Sequence, residues 1–155
     1  MLDNTTAEPL LGEIVSERVK SELLAAGAWR IVNTDQKPDL SLNGLVSKLK
    51  STPVAFDADQ FVTEYQLEVH VDFTLTRAAD GSTVWSAPDV VGLADYYVDK
   101  NSVSSSRESK ERAFRDAGQR LAETVVQHLA LLPDAPPAAP SSQAITPSAP
   151  APPPK

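Results

Sequence analysis

The residues of this chain whose types could do chemistry are two histidines, two closely spaced aspartates and a run of serines. His70 stands between Glu68 and Asp72 in the run F-V-T-E-Y-Q-L-E-V-H-V-D-F-T-L-T-R at 61–77, and His128 lies near the end of a helical pattern. Histidine titrates near neutral pH and is the commonest metal ligand. Neither histidine has a second histidine or metal-ligand spacing nearby, so both read as solvated surface side chains. Asp57 and Asp59 lack the turn glycine and terminal glutamate of a calcium loop and read as a turn of carboxylates. The serines at 104–106 suit helix capping better than nucleophilic work. Asn4-Thr5-Thr6 matches a glycosylation acceptor pattern too short to carry weight. The six glycines are scattered, which leaves no phosphate-cradling loop, and the absence of cysteine excludes disulfides, thiolate metal sites and a thiol nucleophile. The chain reads as a non-enzyme with no metal or cofactor.

The more telling feature is the strand that carries His70. Tyr65, Leu67, Val69, Val71, Phe73 and Leu75 alternate strictly with Glu64, Gln66, Glu68, His70, Asp72 and Thr74. Period two over so long a run means a strand with one buried face and one wet face. Burying the six apolar side chains contributes on the order of 10 kcal/mol as an upper bound. The polar face must look at water or at something wet.

Length and charge bound the partners. Of 155 residues, the last 23 (133–155) hold nine of the 13 prolines and almost no large apolar side chain. Such a segment cannot offset its ordering entropy and is expected to be a disordered, Pro/Ala-rich tail after a domain over residues 1–132. A net charge of −7 argues against binding a phosphate backbone, so nucleic acid is not an expected partner. No apolar run is long enough to cross a bilayer, and the opening M-L-D-N-T-T-A-E-P lacks the basic and apolar regions of a signal peptide.

The elements that must position these residues follow in order. A first helix is expected from about Ala7 to Ala26, with Thr5 and Glu8 at capping-box spacing, Pro9 in the first turn and Gly27 as C-cap. Leu11, Ile14, Val15, Val19 and Leu23 form its stripe. Trp29 to Val32 reads as a short strand. Leu40 to Leu49 reads equally as a hairpin about Asn43-Gly44 or as one strand with Gly44 at a bulge or close approach. Pro53 should break that segment before the long strand, which closes through Ala78-Ala79-Asp80-Gly81 into a return strand from Thr83 to Tyr97, interrupted at Pro88. A second helix is expected from Ser105, capped with Glu108, to Leu132, with its seam at Phe114, Ala117, Leu121, Val125, Leu129 and Leu132. Together these predict an α+β two-layer sandwich, two amphipathic helices on one face of a mostly antiparallel sheet.

Six segments in sequence carry a resemblance: N-T-T-A-E-P-L-L at 4–11, A-W-R-I-V-N at 28–33, P-D-L-S-L-N-G at 38–44, T-P-V-A-F-D at 52–57, V-T-E-Y-Q-L-E-V-H-V at 62–71, and D-G-S-T-V-W at 80–85 with the Tyr96-Tyr97 pair. They resemble the lipopolysaccharide-assembly lipoprotein family, LptE, over residues 4 to about 132. The resemblance favours one continuous strand through Asn43-Gly44. It implies a small lipidated protein at the periplasmic face of the outer membrane, a plug inside the barrel protein LptD that helps lipopolysaccharide reach the cell surface. Family members begin with a signal peptide, a lipidated cysteine and a first strand. The chain as given is expected to lack these, leaving a sheet edge unpaired and part of the first helix's stripe uncovered.

Under that reading Lys48 and Lys50, on one face of the second strand, and Arg77, ending the long one, are the best-placed cations for a phosphorylated lipid headgroup. The alternative is an envelope-associated binding module that captures a peptide or partner strand at a sheet edge.

Overall fold

A computed structural model describes residues 2–32 and 36–132. The expected tail at 133–155 lies outside the described residues. The elements run β1 (Leu2–Asn4), α1 (Leu11–Ala26), β2 (Leu40–Phe56), β3 (Val62–Arg77), β4 (Thr83–Tyr97) and α2 (Val103–Ala130). They form a four-stranded sheet in the order β1-β2-β3-β4, with β1 parallel to β2 and the rest an antiparallel meander. The α+β sandwich predicted from the alternation is therefore present.

β3 is the centre of the sheet, and its period-two pattern does the expected work. Leu67, Val69, Val71 and Phe73 are fully buried, beneath α2 residues Ala117, Leu121, Ala122 and Val125. α2 is the helix that lies on β3 and β4, while α1 packs mainly on α2 and β1. Gly92 makes the close approach of α2 to β4 possible: a Cβ there would stand 2.4 Å from the Ala117 carbonyl oxygen. Tyr65 and Tyr96, cross-strand partners, stack with ring centroids 5.2 Å apart.

Several boundaries differ from expectation, each for a local reason. β2 is one strand of 17 residues, not a hairpin, and Gly44 serves close approach: a Cβ there would meet the Leu2 side chain at 2.8 Å. Pro53 does not break β2. It pairs with Tyr65, and the next residue, Val54, is bulged, so the strand absorbs a proline on the side where β2 has no neighbour. The expected open edge is partly closed, because Leu2, Asp3 and Asn4 pair with Gly44, Leu45 and Val46. The Leu2 N–H donates to Ser16 Oγ at 3.1 Å, tying that strand to α1.

α1 begins at Leu11 rather than Ala7, and no side chain caps it. Asn4 organises the preceding turn instead. Its Oδ1 accepts the Thr6 N–H at 2.9 Å and its amide donates to the Glu8 carbonyl at 2.7 Å, so the Thr5–Glu8 capping box does not form. Gly27 closes the helix in the left-handed conformation, as expected. Trp29 to Val32 is not a strand: the connection runs irregularly there, with Trp29 packed against the core. α2 starts two residues early because Ser102, not Ser105, is the N-cap, accepting the Ser105 N–H at 3.2 Å.

Candidate functional site

The outward face of the sheet is covered by no other element among the described residues. Its centre line is Gln66, Glu68, His70 and Asp72 of β3. A central strand has neighbours on both sides, so these polar side chains are half-buried between flanking strands rather than immersed in water. Lys50 and Lys48 of β2 stand directly across from Glu68 and His70. A bulge at Ser47 puts them there: Val46 and Leu49 both face the core, so one residue of the intervening pair is extra, and Lys48 and Lys50 turn outward together.

The face is less uniformly polar than β3 alone suggests. β4 contributes Val91 opposite His70, Leu93 opposite Glu68 and Tyr97 opposite Glu64, all exposed. The polar row of β3 thus runs beside a β4 row that is largely apolar, with exposed Asp95 opposite Gln66 between Leu93 and Tyr97.

His70 is not the solvated histidine expected from its neighbours in sequence. Its side chain is 13% exposed and its Nδ1 lies 2.6 Å from Asp89 Oδ1, while Nε2 faces Glu68 Oε2 at 3.6 Å. Lys50 donates to the other Glu68 oxygen at 3.1 Å, and that ammonium holds the Glu68 carboxyl below its ordinary value. Asp89 sits in a β4 bulge with φ +53°, its backbone N–H donated to Asp72 Oδ1 at 2.8 Å. Sequence reading missed Asp89 altogether; the available signal was Pro88-Asp89 inside a strand pattern, a pair that disrupts pairing. His128, by contrast, is exposed on α2, near the Trp85 ring.

The three cations proposed for a headgroup are not brought together. Lys48 and Lys50 are adjacent on the outward face. Arg77 follows Leu75 on the core-facing side of β3, seven residues beyond His70, or roughly 23 Å along the strand. It ends β3 beside a groove of about 1260 Å³ between α1, the 28–39 connection and the start of β2, lined by Leu23, Trp29, Leu40 and Leu42 with Lys20, Arg30 and Lys37 among its polar residues.

The other candidates resolve into structural roles. Asp57 folds the β2–β3 turn on itself: one carboxylate oxygen accepts the Asp59 and Phe61 N–H groups, and the other accepts Lys100 at 2.9 Å. The Lys100 ammonium, with the Phe61 N–H, holds the Asp57 carboxyl below the ordinary value, and the same pair raises Lys100. Ser106 braces the turn before α2, accepting the Asp99 N–H. Among the described residues no group of histidines and carboxylates has the arrangement to hold a metal ion, and no helix is long and apolar enough to cross a membrane.

Comparison with known proteins places this architecture. No curated protein sequence matches. Among solved structures, a provisionally named lipoprotein of Caulobacter crescentus CB15 superposes with a TM-score of 0.57 at 15% identity, covering 83% of this chain and 87% of its own. The rare lipoprotein B of Shewanella oneidensis gives 0.52 at 18% identity, covering 83% and 91%. A minor lipoprotein of Acinetobacter baumannii gives 0.52 at 15% identity, covering 82% and 86%. At such identities the likeness is one of fold. The family model LptE, described as lipopolysaccharide-assembly, matches residues 1–129, and the chain belongs to that family.

Proposed function

We propose that this LptE-family lipopolysaccharide-assembly protein works at the periplasmic face of the outer membrane as the plug-like partner of the barrel LptD, contacting it through the outward face of its sheet. Family membership carries the lipopolysaccharide-assembly role and the association with the envelope. The observation that carries the finer reading is a sheet face that no element covers among the described residues, on which half-buried charges run beside exposed Val91, Leu93 and Tyr97. Polar and apolar rows side by side suit a hydrated interface whose contacts are part direct and part water-bridged. Strand capture fits less well. The free edge of β4 is interrupted by Pro88 and the Asp89 bulge, the devices that discourage edge-to-edge pairing.

A photo-crosslinking residue at Leu93, in the full chain co-expressed with its LptD, is expected to yield a covalent adduct with the barrel. The same residue at Arg112, exposed on α2, serves as comparator. Adducts from Arg112 with none from Leu93 would overturn the assignment of the face. Lys48 and Lys50 remain the proposed contacts for lipopolysaccharide phosphates on this face, and Arg77 would belong to a separate contact.

A further inference from the structure

The clasp at the β4 bulge is built for a charged imidazole. His70 Nδ1 lies 2.6 Å from Asp89 Oδ1, a hydrogen-bond distance to a carboxylate, so that contact takes one ring proton. A neutral ring has no second proton to give. Nε2 would then turn a lone pair toward Glu68 Oε2, and that nitrogen has no hydrogen-bond partner among the described residues although no solvent reaches it. An imidazolium instead points an N–H at each carboxylate. Glu68 is prepared for this, since Lys50 occupies Oε1 and leaves Oε2 to face the ring.

What the clasp holds is a backbone that other residues disfavour. Pro88 and Asp89 are the two β4 residues set against the single Asp72, and Asp89 carries φ +53°, a region that aspartate tolerates better than most. Two bonds keep it there: its N–H to Asp72 Oδ1 and its carboxylate to His70. The charged groups facing the ring are Lys48 and Lys50 from β2, Glu68 and Asp72 from β3, and Asp89 from β4.

We infer that His70 is a proton-dependent clasp on the β4 bulge: protonated, it bridges Asp89 to Glu68 and fixes the bulge on the outward face, and on losing one proton it keeps Nδ1–H on Asp89 but gives up the Glu68 end of the bridge and the charge assistance on Asp89, so that segment of β4 loosens. The device goes beyond the proposed barrel partnership and does not depend on it.

Side-chain NMR of the full chain gives the titration of His70 between pH 5 and 8, with exposed His128 as internal reference. Protection of the Asp89 amide, corrected for intrinsic exchange, is followed over the same range. Protection is expected to fall about fivefold as His70 deprotonates, the difference between a charge-assisted hydrogen bond and an ordinary one. Asp89→Asn, which keeps a residue suited to the left-handed backbone, should move the His70 midpoint to lower pH and leave His128 in place. His70→Gln should make the Asp89 protection low and independent of pH. Equal protection on both sides of the His70 titration would overturn the clasp, and so would an unmoved His70 midpoint in Asp89→Asn; the second test stands even if His70→Gln fails to fold.

Discussion

The two faces of β3 are made of alternate residues of one strand, yet they obey different rules. On the inner face Leu67, Val69, Val71 and Phe73 have no solvent exposure and are interchangeable in kind, held by the helix above them. On the outer face Glu68, His70 and Asp72 are only half-buried, and each has its own particular partner on a neighbouring strand. The inner face stabilises through area removed from water, which any apolar side chain of the right volume supplies. The outer face stabilises little and specifies geometry, because exchanging one charge there undoes a named contact.

Substitutions should separate the two faces by magnitude. Leu121→Ala, which removes a fully buried side chain above β3, is expected to cost about 2 to 5 kcal/mol in chemical unfolding. A loss under ~1 kcal/mol would mean α2 is not the lid of the core. Gly92→Ala comes next, at about 1 to 3 kcal/mol, because its Cβ collides with the backbone of α2, whereas Gly44→Ala meets the Leu2 side chain and should cost clearly less. The comparison fails if the two glycine variants melt together.

A titration probes the rim. The Asp57 carboxyl is held below its ordinary value of 3.8, first by Lys100. A depressed carboxylate contributes stability that is fully present above the ordinary value and lost as pH falls through the depressed one. The raised Lys100 adds a contribution present below 10.5 and lost at higher pH as its raised value is passed. Lys100→Gln should therefore lower stability slightly at neutral pH and leave it almost unchanged at the acid end, where Asp57 is protonated in either protein, so that the fall of the stability–pH curve below about pH 4 is shallower; an unaltered acid limb would remove this pair from the account.

The smallest stability effect belongs to the outer face. Lys50→Glu sets a like charge opposite Glu68 and Lys48→Glu places one opposite His70, and together they should cost less stability than any change above. The same double variant should nonetheless weaken lipopolysaccharide binding and flatten its dependence on ionic strength. Binding measured across a salt series, matching the parent in both affinity and slope, would move the headgroup contact elsewhere.

The sequence carried the inner face almost completely. Alternation on β3 and the step-of-three-and-four seam of α2 are direct imprints of burial, and Leu67, Val69, Leu121, Val125 and Leu129 lie where their periods predict. The outer face was legible only as polarity. Whether His70 is wet depends on Asp89, and Asp89 reaches it through a bulge that sets two residues against one, a register fact with no periodic signature. The same holds for Ser47, without whose bulge Lys48 would face the core side. Pro53 misled for a related reason: the rule against proline in strands applies to residues whose N–H has a partner, and pairing is not written in the chain. Trp29 to Val32 has the composition of a strand, but Trp29 packs against the core and the segment pairs with no strand among the described residues.

That short N-terminal strand has a kinetic consequence. β2, β3 and β4 are joined by tight turns, so their pairing closes only small loops. β1 waits for residues some forty positions onward, and α1 meets α2 about a hundred positions away, as in the contact of Glu22 with Gln119. Loop closure over such separations carries an entropic cost before any contact rewards it. The meander with α2 is thus expected to assemble first, and the β1–α1 unit to dock onto it late. Val15→Ala, buried in α1, should leave the refolding rate nearly unchanged and express its loss as faster unfolding, making the first 26 residues the seam at which this molecule comes apart.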